Sequence, residues 1–66
     1  MDDLRDTLEM LVDRKGLAGV VEALAEIADE KAEHVRSNWQ DEPLAKAWER
    51  DAWTLKKAAA KLEDGN

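Results

Sequence analysis

The sequence predicts an all-α protein of three helices, and three observations support this. Apolar residues recur at intervals of three and four along most of the chain, which is the spacing of amphipathic helices. Residues that break helices are few, with three glycines and one proline. No segment alternates apolar and polar residues as a strand would. We therefore expect a single domain over residues 1–66, with helices at about 3–15, 17–39 and 42–63.

The first predicted helix is short and amphipathic. Leu4, Leu8 and Leu11 form one apolar stripe along it. Gly16 follows and can adopt the positive φ that ends many helices. Because the next apolar stripe begins at Leu17, the turn between the first two helices is very short. The first helix is therefore expected either to fold back onto the second as a hairpin or to bend sharply away from its direction.

The second predicted helix keeps one apolar face over about six turns. This face consists of Leu17, Val20, Val21, Leu24, Ile27, Ala28, Val35 and Trp39. The third helix is expected to begin near Pro43, because proline is tolerated in the first turn of a helix, and Asp41 is the predicted N-cap. Its stripe is Leu44, Trp48, Ala52, Leu55, Ala59 and Leu62. We expect the third helix to lie antiparallel to the second.

The large apolar side chains are predicted to form the core. A chain of 66 residues nevertheless buries only about 60% of the surface of its unfolded form, so its stability is marginal. There is no cysteine to form a disulfide, and there is one histidine, His34. The sequence therefore predicts that the core is completed by a homo-oligomer, of which a dimer is the simplest form. The predicted buried set is Leu4, Leu8, Leu11, Val20, Val21, Leu24, Ile27, Val35, Trp39, Leu44, Trp48, Leu55 and Leu62.

The charge of the chain argues against nucleic acid as a partner. The formal net charge is −6 and is spread over the sequence rather than gathered in a tail. A negative chain without a basic stripe repels phosphate backbones. The most apolar window, Leu17 to Ala28, is interrupted by Glu22 and Glu26, so no membrane-spanning segment is expected. We expect a cytoplasmic protein.

The tryptophans indicate where a partner chain would bind. Trp39 and Trp48 fall on the apolar stripes, near the turn between the second and third helices. Trp53 points away from its stripe, and tryptophan is enriched at the centres of protein interfaces. We predict a contact with a second chain that involves Trp53, Ala60, Trp39 and Trp48. The alternative for Trp53 is a half-exposed side chain covered by the stems of neighbouring lysines.

A metal-binding oligomer of ferritin-like type is a second hypothesis. Glu30 and His34 lie one turn apart on the same helix face. Such sites, however, require a Glu-x-x-His pair, and Lys31 stands where the glutamate would be. The alternative is that His34 is a boundary residue which donates to a nearby carboxylate. No cofactor is predicted.

A third hypothesis concerns the acidic residues of the second helix. They form a ridge that keeps the protein soluble, or a docking surface for a larger basic protein, or a mimic of nucleic-acid phosphates. We call Glu22, Glu26, Asp29, Glu30 and Glu33 the acidic ridge.

Catalysis is not expected. The chain has no cysteine nucleophile, and Gly16-Leu17-Ala18-Gly19 lacks the rest of a phosphate-binding loop. Nothing in the sequence supplies an oxyanion hole or a substrate pocket of several hundred cubic ångströms. The sequence therefore favours an acidic protein-interaction or oligomerisation module without enzymatic activity.

Overall fold

The computed structural model describes residues 3–64 and contains two helices. Helix α1 spans Asp3–Asn38 and helix α2 spans Glu42–Asp64. Residues 39–41 connect them. The predicted all-α class is confirmed, because the two helices account for all of the described residues outside this connection.

Gly16 bends α1 at the position where the sequence predicted a break. Its φ of 82° and ψ of 158° are non-helical and lie in a region that is essentially restricted to glycine. The helix continues on both sides of Gly16, so the structure has one kinked helix where two separate helices were expected. A Cβ atom on Gly19 would lie 3.3 Å from the Cβ of Lys15, so glycine there accommodates the close approach that accompanies the kink.

The two helices pack antiparallel, as the sequence predicts. Arg36, near the end of α1, forms ion pairs with Glu42 and Glu49 in the first third of α2. Further from the connection, Asp29 pairs with Lys56 at 2.7 Å. Residues nearer the start of α1 therefore lie against residues nearer the end of α2, as in an antiparallel pair.

Small side chains form the contact between the helices. The buried residues of α1 are spaced by three, four and three, and those of α2 by seven, which is the heptad pattern of a packed helix pair. We call these residues the alanine seam: Ala25, Ala28, Ala32 and Val35 on α1, with Ala45, Ala52 and Ala59 on α2. The seam lets the two backbones approach closely but buries little apolar area.

Most members of the predicted core are not fully buried within the single chain. Val35 is the one residue of the predicted set that is buried. On α1 the contact stripe keeps Ala28 and Val35 of the predicted face but is shifted to one side of it, because Ala25 and Ala32 replace Leu24 and Ile27. One residue turns a helix by about 100°, so this shift moves the larger side chains out of the seam. The exposed members of the predicted set are Leu4, Leu11, Leu24, Ile27, Trp39 and Leu44. The half-buried members are Leu8, Val20, Val21, Trp48, Leu55 and Leu62.

The start of α2 is fixed by local hydrogen bonds. The backbone N–H of Leu44 donates to the Asp41 side chain at 3.1 Å, which confirms Asp41 as the N-cap. Pro43 lies in the first turn, where its missing N–H costs no helical hydrogen bond. Gln40 adopts a positive φ of 53° in the connection, a conformation that non-glycine residues rarely take.

Candidate interaction surface

An open apolar groove runs along one edge of the alanine seam. Leu24 and Ile27 line it from α1, and Trp48 and Leu55 line it from α2. Its volume is about 370 Å³. We call these four side chains the groove residues. They stand beside the seam because they lie next to its alanines in the sequence or one turn away from them.

The groove exposes aliphatic side chains that would ordinarily be buried. Leu24 is 41% exposed and Ile27 is 48% exposed. Burying such a side chain fully is worth about 1.5–3 kcal/mol, and somewhat less than half of the area remains to be buried in the single chain. Contiguous exposed apolar side chains of this kind are typical of interaction sites.

Two opposite charges stand at or near the groove. Asp51 of α2 lines it together with Thr54. Lys31 lies one turn beyond Ile27 and two turns beyond Leu24, so it continues their stripe along α1. Within residues 3–64, neither Asp51 nor Lys31 has an ion-pair partner.

The segment before the kink borders a second cavity. Leu8 and Leu11 face residues 19–27 across a space of about 480 Å³. Leu24 and Ile27 line this space as well as the groove, so the two are adjacent. The kink at Gly16 thus places the segment before it beside the groove, where Leu8 and Leu11 extend the apolar surface without covering the groove.

The other edge of the seam is closed by ion pairs. The Arg36 side chain donates to Glu49 at 2.8 Å and to Glu42 at 3.0 Å. The hydrogen bond from Arg36 holds the pKa of Glu49 below its ordinary value, although partial loss of solvent acts in the opposite direction. The same two carboxylates raise the pKa of Arg36 further above its already high value. We call this the ion-pair edge.

Trp53 lies on the side of α2 that carries the ion-pair edge, away from the groove. It is four residues after Glu49 and three before Lys56, both of which pair with α1 across that edge. The ring is 60% exposed, and the ammonium of Lys57 lies 4.3 Å from its centroid. This is the arrangement in which a lysine covers a half-exposed tryptophan. Ala60, which lies seven residues or about two turns after Trp53, is also exposed.

The remaining two tryptophans differ from each other in position. Trp39 is 70% exposed in the connection between the helices, whereas Trp48 is half-buried and lines the groove. Of the four residues predicted to contact a partner, the structure therefore places Trp48 alone in the groove. The contact predicted at Trp53 and Ala60 lies elsewhere on the molecule and stays a prediction.

The predicted metal-site candidates surround a shallow depression. Glu30, Lys31 and His34 line a space of about 250 Å³. Asn38, rather than a carboxylate, contacts the His34 ring: its side-chain nitrogen lies 3.0 Å from Nδ1. Among residues 3–64, no three potential ligand side chains come together in a group that could hold a metal ion.

All five residues of the acidic ridge are exposed on α1. One of its members, Asp29, is engaged by Lys56 of α2. Glu22 and Glu26 border the cavity beside the segment before the kink. The ridge therefore does not present an uninterrupted row of unpaired carboxylates.

Sequence reasoning missed the groove because it assigned the groove residues to the core. The signal that could have revealed it is the heptad spacing of Ala45, Ala52 and Ala59, matched by Ala25 and Ala32 on the other helix. Alanines at these positions leave the neighbouring large residues outside the contact.

Comparison of the chain with protein-family models, with curated proteins and with solved structures found no match in any of the three. In the part of the chain that the structure describes, neither helix is apolar enough over a sufficient length to cross a bilayer.

Proposed function

We propose that the protein is a non-catalytic interaction module whose working surface is the groove. The observation that carries this proposal is that alanine fills the contact between the helices, whereas the larger Leu24 and Ile27 remain exposed beside it. A helix pair that buries mainly alanine gains little hydrophobic stabilisation. Contact with another polypeptide supplies the missing burial.

The groove suits a helical partner. Two helices that lie side by side form a trough, and an amphipathic helix lays its apolar face into such a trough with anchors at intervals of three and four. Trp48 at the wall supplies the aromatic area that interface centres favour. The open form of the groove and its mainly apolar lining make it unlike a catalytic pocket, which requires convergent polar groups.

Site-specific photo-crosslinking in the native host tests this function. A photoreactive side chain in place of Leu24 is expected to form covalent adducts with protein. The same group in place of Glu33, which is exposed on the acidic ridge, is the control and should form few. The proposal fails if position 24 yields no protein adduct while the variant accumulates to the wild-type level.

A further inference from the structure

We propose that the partner in the groove is a second copy of this chain, placed by a two-fold axis so that the two grooves cover each other. This inference rests on the proposed function and adds the identity of the partner. Its basis is the surface area of the chain, its dimensions and the distribution of its charges.

The chain exposes more surface than a compact monomer of its size. Its accessible surface is 5291 Å², whereas compact monomers of this mass expose about 4200 Å². The radius of gyration is 13.7 Å, against about 11 Å for a compact domain of the same length. The excess surface is on the order of 1000 Å². Stable dimers of standard size bury about 800 Å² on each partner, so a second copy accounts for this excess.

The charges permit two copies to meet at the groove. Each copy carries a net charge of −6, so contact through the acidic ridge would bring like charges together. The side chains that line the groove include one charge, Asp51. Lys31 follows Ile27 by one turn on α1 and borders the neighbouring depression at Glu30 and His34. In a two-fold arrangement each contact occurs twice with the roles exchanged. The Asp51 side chain of one copy can therefore pair with the Lys31 side chain of the other, which leaves the acids of the ridge outside.

The resulting assembly is a four-helix arrangement of two hairpins. Alanine would fill the contacts within each chain, and Leu24, Ile27, Trp48 and Leu55 would fill the contact between chains. Trp53 stays on the outer surface of this dimer, because it lies on the side of α2 away from the groove.

The test measures solution mass by light scattering on a sizing column, with the purified full chain. The wild type is expected to elute with twice the mass of the chain. Leu24→Ala should raise the dissociation constant about ten- to hundredfold, and Ile27→Asp should raise it further, because each removes apolar area from the contact. Trp53→Ala is the matched control, since it removes a large exposed side chain from the other side of α2, and should leave the mass unchanged.

Three results would overturn the proposal. The first is a monomeric mass for the wild type at all concentrations, which does not depend on how any variant folds. The second is a dimer that Trp53→Ala dissociates while Leu24→Ala and Ile27→Asp do not. The third is a larger closed assembly that the groove variants leave intact. If the wild type is monomeric and position 24 still crosslinks to a different protein, the proposed function stands and the second copy is excluded.

Discussion

At the scale of single residues, backbone conformation at the connection between the helices limits stability. Gln40 holds a φ of 53° immediately before the Asp41 cap. A side chain in this left-handed region costs about 1–2 kcal/mol, whereas glycine adopts it readily. The connection is therefore a place where the sequence is not optimal for the fold.

We expect Gln40→Gly to increase the free energy of unfolding by about 1 kcal/mol, because it removes the steric cost of the positive φ. The measurement is urea unfolding followed by circular dichroism. Gln40→Ala is the control: it keeps a Cβ atom and should give no increase. Equal effects of the two substitutions would show that the gain does not come from the backbone conformation.

At the scale of helices, the alanine seam determines how α1 and α2 meet. Ala52 is 1% exposed, and its Cβ faces the other helix at the centre of the contact. A larger side chain has no space there unless the helices separate. The exposed Ala60, two turns further along α2, offers the same substitution without that constraint.

Ala52→Leu should destabilise the protein by about 1–3 kcal/mol through overpacking of the seam. Ala60→Leu should change stability by no more than about 0.5 kcal/mol, because its side chain points to solvent. Thermal unfolding of the two variants at one protein concentration checks this. A loss of the same size in both would mean that leucine is unfavourable along α2 generally and that the seam is not specific.

The ion-pair edge makes the stability of the helix pair depend on pH. The pKa of Glu49 is lowered in the folded chain by Arg36. A lowered pKa means that the ionised form favours folding above the ordinary glutamate pKa of about 4.3. This contribution is lost as the pH falls through the lower, folded-state value.

Glu49→Gln should therefore flatten the decline of stability as the pH falls below the ordinary glutamate pKa of about 4.3. Glu30→Gln removes the same charge without touching Arg36 and is the matched control. Urea unfolding at a series of pH values and one protein concentration gives the slope of the unfolding free energy against pH for each variant. If the two variants change the slope equally, the Arg36–Glu49 pair does not cause the acid dependence.

The sequence predicts the helices better than it predicts their packing. Glycine at position 16 and the Asp41–Pro43 start of α2 carry direct local signals, since backbone conformation and capping depend on near neighbours. The face that α1 turns to α2 depends instead on which side chains fit between two backbones. The larger Leu24 and Ile27 outweigh Ala25 and Ala32 in a hydrophobic pattern, although these alanines belong to the contact. The groove follows from this difference in the contact face.

At the scale of the whole molecule, the contacts within the single chain provide little stabilisation of the folded state. The helix pair is joined by an alanine seam, a few exposed ion pairs and a short connection. Exposed ion pairs such as Asp29–Lys56 typically contribute less than about 1 kcal/mol. The larger reserve of hydrophobic stabilisation lies in the groove residues, which the single chain covers only in part. Folding and association are therefore expected to occur as one process.

The dependence of unfolding on protein concentration tests this claim most directly. For a chain that folds as a dimer, a hundredfold increase in concentration stabilises the folded state by about 2.7 kcal/mol, so the urea midpoint rises. We predict such a rise for the wild type, measured by circular dichroism across that range. A midpoint that stays the same at every concentration would show that the single chain is stable without a second copy, so that folding does not require association.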